Sequence, residues 1–191
     1  MSEGFERTRP PLPGQRRNAR RIREMVRVDH AGEYGAVAIY RGQRAVFGTL
    51  PHKSRIAAQL EEMEADEQHH LDTFDRLIFE HGSRPTALAP FWHAAGHALG
   101  AATALMGEKA AHACTEAVET VIERHYAGQV AELCAMGEDE LATLFDKFRE
   151  EEVAHRDLAV EEGAREAPGY APLSRAIKTG CKIAIRVCER V

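Results

Sequence analysis

Glu67 and His70 stand three residues apart, and Glu152 and His155 repeat that spacing 85 residues later. Residues three apart on a helix share a face, so each carboxylate–imidazole pair can reach one ion. Ahead of each pair stands a second shared pattern. Glu33 is followed by Tyr40 and then Gly42-Gln43, and Glu119 is followed at the same spacing by Tyr126 and then Gly128-Gln129, 86 residues on. Composition alone would give roughly one E-x-x-H by chance. Two of them, each about 34 residues after a Glu that opens a shared E-x6-Y-x-G-Q pattern, mark a two-helix unit used twice.

One Glu from each of two helices, with Glu-x-x-His from each of two others, is the donor set with which helical bundles hold two iron or two manganese ions. The predicted ligands are therefore Glu33, Glu67, His70, Glu119, Glu152 and His155. Four carboxylates balance the charge of two divalent ions. Without metal, the four acids would raise one another's pKa values. An oxygen and imidazole set without thiolates fits iron or manganese and argues against structural zinc. Asp72 and Asp157, two residues past each His, are candidates to orient a metal-binding His of a neighbouring helix. Asp29, one turn before Glu33, is another candidate. His69 is turned roughly 100° from His70 and is not expected to be a ligand. Taken singly, any of these acids reads equally well as a solvated helical residue. The repeat makes the six a single observation.

Long helices must carry them. The chain has 191 residues, 44% hydrophobic and 6% aromatic, with a net charge of −5. That is one domain's length, and no long stretch alternates apolar with polar residues, so an all-β fold is excluded. Helical periodicity runs over about 18–47, 53–80, 108–134 and 139–165, with a last helix over 171–190. The breaks fall at Gly48 and Pro51, at 81–85, at Gly137, and at Pro168-Gly169. The expected fold is all-α: a ferritin-like antiparallel four-helix bundle with an internal pseudo-twofold repeat, plus an apolar segment and a C-terminal amphipathic helix. Residues 1–17 read as a basic, Pro-rich arm without regular structure, and 18–191 as one domain. Its first repeat covers 18–82 and its second 108–165, with 87–107 and 171–190 facing a membrane.

Charge is segregated. Residues 1–28 sum to +5 and 170–191 to +4, leaving −14 for 29–169. An acidic centre argues against a nucleic-acid groove, while the basic ends suit an anionic surface. Cys114, Cys134, Cys181 and Cys188 form no CxxC pair and no signal peptide opens the chain, so they read as reduced thiols in a cytosolic setting.

At these same residues the sequence resembles the demethoxyubiquinone hydroxylase family. The matching blocks are RVDHAGEYGAV at 27–37, EQHHL at 67–71, ACTEAVE at 113–119, His125-Tyr126, and FREEEVAH at 148–155. LGAATALMG at 99–107 and the stretch around Gly180-Cys181 are also similar. The two E-x-x-H pairs alone would indicate only a ferritin-like di-iron protein; HAGEYGAV and ACTEAVE are the specific part. The resemblance implies a monooxygenase that hydroxylates the ring of a polyprenylated methoxy-methyl-benzoquinol in ubiquinone synthesis. It implies two iron ions (Fe2+/Fe3+) per chain, dioxygen as co-substrate, and the six ligands already named. Tyr40, Tyr126 and His125 are placed to gate protons or touch the ring, and helical spacing suits them equally to core packing.

Ala87–Gly107 carries no charged residue over about the length of a membrane span, but Pro90, His93, Gly96, His97 and Gly100 interrupt it. The reading is a segment that lies on or dips into a bilayer. In the last helix Arg175, Lys178, Lys182, Arg186 and Arg190 form one basic stripe, opposite Ile177, Ala184, Val187, Cys188 and Val191. Such a helix suits a membrane surface, or docks its apolar side on the bundle. The expected location is peripheral, on the cytoplasmic face of the cell membrane, with a second chain or a biosynthetic complex left open as partner. The alternatives are a ferroxidase-type iron-handling or storage protein and another di-iron hydroxylase; both leave the apolar segments unexplained. No Gly-rich dinucleotide fingerprint follows a strand, so the electron donor is not visible.

Overall fold

The longest periodic stretch becomes helix α1, Pro13–Phe47, in a computed structural model that describes residues 13–191. Two faces of α1 organise the rest. Val26, Asp29, Glu33, Val37 and Tyr40 follow the 3–4 residue spacing of one face and are buried in the bundle. Val28, Ala31, Ala36 and Ile39 are buried on a second face, offset around the axis.

Five further helices follow: α2 (Ser54–Glu80), α3 (Ala89–Leu105), α4 (Glu108–Met136), α5 (Asp139–Glu161) and α6 (Tyr170–Cys188). Among the described residues there is no strand. Side-chain pairings give the helix directions. Arg44 meets Glu61 and Glu64 while His30 meets Asp75, so α1 and α2 are antiparallel. Arg21 meets Glu132 and Tyr40 meets Glu119, so α1 and α4 are antiparallel as well. Contacts of His70 with Glu151 and of His155 with Glu67 set α2 against α5 in the same way. α1, α2, α4 and α5 thus enclose one interior. α3 packs outside on α1, and α6 packs outside on α4.

The interior is filled at both ends and polar between. Phe74, Tyr126, Phe145 and Phe148 cluster with Met25 and Leu133 at one end. Phe47, Ile56, Leu60, Met63 and Tyr40 fill the other. The two repeat tyrosines therefore sit one in each plug, on either side of the buried Glu and His residues.

Local signals explain the boundaries. Gly137 ends α4 in the left-handed conformation (φ 75°), where its N–H and that of Glu138 satisfy the carbonyls of Cys134 and Leu133. Gly163 (φ 87°) stops α5 at Glu161, four residues short of the expected Arg165. The described part of α1 runs from Pro13, so 13–17 are helical and not part of an arm. The remaining expected arm, 1–12, lies outside the described residues.

α3 approaches α1 backbone to backbone. A Cβ on Gly100 would overlap the Ile39 carbonyl oxygen, one on Gly42 would overlap the His97 carbonyl, and one on Gly96 would come within 2.7 Å of the Gly35 carbonyl. Only glycine allows this spacing. No helix of the described residues is long and apolar enough to cross a membrane. Gly100→Ala is expected to lower the melting temperature by about 3–10 °C, from an overpacking cost of roughly 1–3 kcal/mol in a chain of this size. Gly128→Ala, at an exposed position with open space around it, is expected not to lower it. Thermal unfolding followed by circular dichroism compares the two.

Candidate metal centre

Glu67 and Glu152 each turn one carboxylate oxygen to His70 and the other to His155. His70 Nδ1 lies 3.2 Å from Glu152 Oε1 and 3.7 Å from Glu67 Oε2. His155 Nδ1 lies 3.2 Å from Glu67 Oε1 and 3.7 Å from Glu152 Oε2. Two carboxylates thus span two imidazoles, which defines two adjacent centres. Glu33 joins the first, 3.6 Å from His70 Nδ1. Glu33, Glu67, His70 and Glu152 each offer a ligand atom, and these all lie within 4.8 Å of one another. Glu119 is buried close to Glu152, Glu67 and His155. Burial, followed by the neighbouring Glu152 and Glu67, holds its carboxyl well above the usual range.

All six side chains are buried. Among the described residues, both oxygens of Glu67, both of Glu152, and Nδ1 of His70 and of His155 have no hydrogen-bond partner. Six such atoms facing each other in a dry interior would be costly unless a cation joins them. Donor atoms bound to one ion at about 2.0–2.2 Å lie about 3–3.5 Å apart, and the observed spacings are close to that. The residues fit two metal ions. Without metal the cluster recruits protons instead. Burial alone would lower His70 and His155, but the carboxylates of Glu152, Glu33 and Glu67 raise the first, and those of Glu152 and Glu67 raise the second to about 12.

The far nitrogens are held from outside. His70 Nε2 lies 2.7 Å from Glu151 Oε2, and His155 Nε2 lies 3.1 Å from Asp66 Oδ2. Each carboxylate accepts the Nε2–H and so aims the Nδ1 lone pair inward. This role was expected of Asp72 and Asp157, and the structure corrects it. Both are exposed; Asp72 accepts from Gln68, and Asp157 pairs with Arg156. Two residues past a His is roughly 200° around the helix, away from the interior. The sequence did carry the signal, since Asp66 and Glu151 occupy matching places, each just before the Glu of its E-x-x-H.

Tyrosines cross between the repeats. Tyr40 of the first donates its O–H to Glu119 of the second at 3.0 Å, and Tyr126 of the second donates to Glu33 of the first. Burial and these carboxylates push both phenols well above their ordinary range, so they stay protonated donors. Asp29 is buried but outside the cluster, where it accepts from His125 Nε2 and Gln129 Nε2. His125 is thereby tied to Asp29, and His69 is exposed.

Beside the centre lies an apolar cavity of about 460 Å3. Gly32 and Ala36 of α1 and Val118 and Ile122 of α4 line it, next to Glu33 and Glu119 in the chain. α3 gives Trp92 and Leu99 to one wall, and α6 gives Ile177, Cys181 and Ile185 to the other.

Residues 20–188 match the family model described as ubiquinone biosynthesis protein COQ7. The chain belongs to the COQ7 family. A COQ7-family relative from Rhodospirillum rubrum, named 3-demethoxyubiquinol 3-hydroxylase, is 52% identical over 183 residues, 94% of this chain and 83% of that one. The human protein named NADPH-dependent 3-demethoxyubiquinone 3-hydroxylase, mitochondrial, is 43% identical over 175 residues, 89% of this chain and 78% of its own. The Saccharomyces cerevisiae 5-demethoxyubiquinone hydroxylase, mitochondrial, is 38% identical over 182 residues, 87% and 77% of the two chains.

Ferrous ion added anaerobically to the metal-free protein is expected to raise its melting temperature. Each site filled at a hundred times its dissociation constant adds about 2.7 kcal/mol, so a rise of at least about 5 °C is expected. Glu67→Ala and Glu152→Ala are expected to abolish the rise and leave fewer than two metal ions per chain. Asp66→Ala and Glu151→Ala are expected to weaken binding about 10- to 100-fold, and Asp72→Ala and Asp157→Ala to leave it unchanged. Calorimetry and elemental analysis read both.

Proposed function

We propose that this chain hydroxylates the ring of a polyprenylated methoxy-methyl-benzoquinol in ubiquinone biosynthesis, using dioxygen at a carboxylate-bridged di-iron centre. The observation that carries the chemistry is the spanning of His70 and His155 by both Glu67 and Glu152, with every facing atom left without a hydrogen bond. Membership of the COQ7 family, whose relatives are named for this hydroxylation, supports the substrate. Glu33, Glu67 and His70 of the 18–82 repeat and Glu119, Glu152 and His155 of the 108–165 repeat are the residues that would hold the two ions. The crossed tyrosine bonds support a ferritin-like four-helix bundle with pseudo-twofold symmetry.

Two ferrous ions in this site would supply the electrons and open positions that activate dioxygen. The chain's own residues prepare the rest. Tyr40 and Tyr126 fix Glu119 and Glu33, so these carboxylates stay aimed inward. Glu151 and Asp66 fix the two imidazoles. The aromatic and aliphatic plugs at either end exclude water, which keeps an oxidising centre from side reactions. The apolar cavity lies on the flank of Glu33 and Glu119, where it can seat a quinol ring with the start of an isoprenoid tail. A ferroxidase has no use for such a cavity.

A tail of this kind arrives from a membrane. Phe91 and Leu105 of α3, and Met106 just after it, point outward, each more than half exposed. On α6, Arg175, Lys182 and Arg186 are exposed, as is Arg190 just past its end, while Ile177 and Cys188 dock on the bundle. Lys178 is the exception in the basic stripe, turned in to Glu116 at 3.1 Å. These two helices are proposed to rest on an anionic membrane surface without spanning it.

Deleting the gene is expected to accumulate the quinone lacking one ring oxygen, identified by mass spectrometry of a lipid extract. Wild type restores ubiquinone, and Glu67→Ala or Glu152→Ala does not; no accumulation would reject the substrate. In flotation assays, replacing Phe91, Leu105 and Met106 together by Ser is expected to cut binding to anionic vesicles several-fold, as is raising the salt concentration.

A further inference from the structure

Helix α6 walls the apolar cavity, and its polar fixings lie toward its two ends. Near its start, Gly169 takes a left-handed turn (φ 71°). Tyr170, Ser174 and Lys178 then reach the Glu116 carboxylate of α4 at 3.1, 3.4 and 3.1 Å. Near its end, Arg27 of α1 donates from Nε to the Cys188 carbonyl at 2.9 Å and from Nη2 to the Glu189 carbonyl at 2.8 Å. Carbonyls at a helix C-terminus have no partner within the helix, and a cation there is favoured by the helix dipole. Among the described residues, no hydrogen bond or ion pair ties residues 179–187 to another helix. That span presents Cys181, Ala184 and Ile185 to the cavity.

We infer that Arg27 is a positioning residue for the apolar part of the substrate, acting as the latch of a hinged wall. The inference rests on the substrate reading above. The two ends of α6 differ in what release would cost. Parting the first end would break three side-chain contacts with the Glu116 carboxylate, one of them its ion pair with Lys178. Among polar groups, parting the second end frees only a guanidinium and two carbonyls, which water can satisfy. α6 therefore turns about Glu116 and Gly169 and opens at Arg27. The same end carries the apolar part of the closure, where Val28 and Ala31, close to Arg27 on α1, pack with Cys188, Ile185 and Trp92. A long tail is laid into the cavity by parting this wall, and the latch then holds the wall over it.

The test compares iron-loaded wild type with Arg27→Ala and Arg27→Lys. Amide hydrogen exchange over 183–190 is expected to quicken about tenfold in Arg27→Ala, with residues 111–121 of α4 unchanged. Turnover is measured with two demethoxyubiquinols of identical ring, one without a tail and one with several isoprene units. The tailed quinol is expected to lose about tenfold in kcat/KM through KM, the tailless one less than twofold, with Arg27→Lys between. Unchanged exchange at 183–190, or equal losses for both quinols, would overturn the latch. If Arg27→Ala does not fold, Arg27→Lys decides by the same two readouts. If wild type hydroxylates neither quinol, the substrate reading fails and the exchange comparison still judges the latch.

Discussion

Four carboxylates and two imidazoles share one dry interior, and the rest of the structure answers to that constraint. Charges of one sign cannot be buried together without compensation, so the interior must either take up protons or take up cations. The fold favours cations by aiming lone pairs at common points and denying them hydrogen bonds. It does so with groups placed at one remove: two acids behind the imidazoles and two phenols on Glu33 and Glu119. Apolar plugs at both ends keep the dielectric low, which strengthens every attraction to a bound ion. Stability and chemistry thus draw on the same residues.

Reactive centres of this kind need a path for substrate that does not flood them. Here the proposed path is a side cavity lined by small residues. Gly32 and Gly35 on α1 and Gly180 on α6 line it, and nothing lies within 4 Å of where their side chains would be. Elsewhere glycine serves the opposite end, drawing α3 into backbone contact with α1. One helix therefore uses the same residue type to make space on one stretch of its surface and to remove it on another.

Much of this was legible in the sequence because the two residue patterns each occur twice. The six ligand candidates, the helix order and the turn at Gly137 follow from spacing and from glycine chemistry. What was missed has physical reasons. Asp72 and Asp157 shared the repeat and looked equivalent to useful acids, but their angular position on the helix sends them to solvent. Asp66 and Glu151 satisfied the same repeat one step earlier. Choosing between them needs the crossing of α2 and α5, which no local pattern contains. Arg27 gave no signal of its own, because its partners are backbone carbonyls some 160 residues away that any sequence could supply. Lys178 likewise fitted the basic stripe, and only tertiary packing with Glu116 removes it.

The crossed tyrosines have a consequence for how such a protein is put together. Each hairpin carries the phenol that the other hairpin's glutamate needs, and each imidazole leans on an acid from the opposite half. A solitary half is chemically incomplete, whereas two copies of one half, related by a dyad, would complete each other. The present chain carries both halves, so the candidate site is complete only where they pack together.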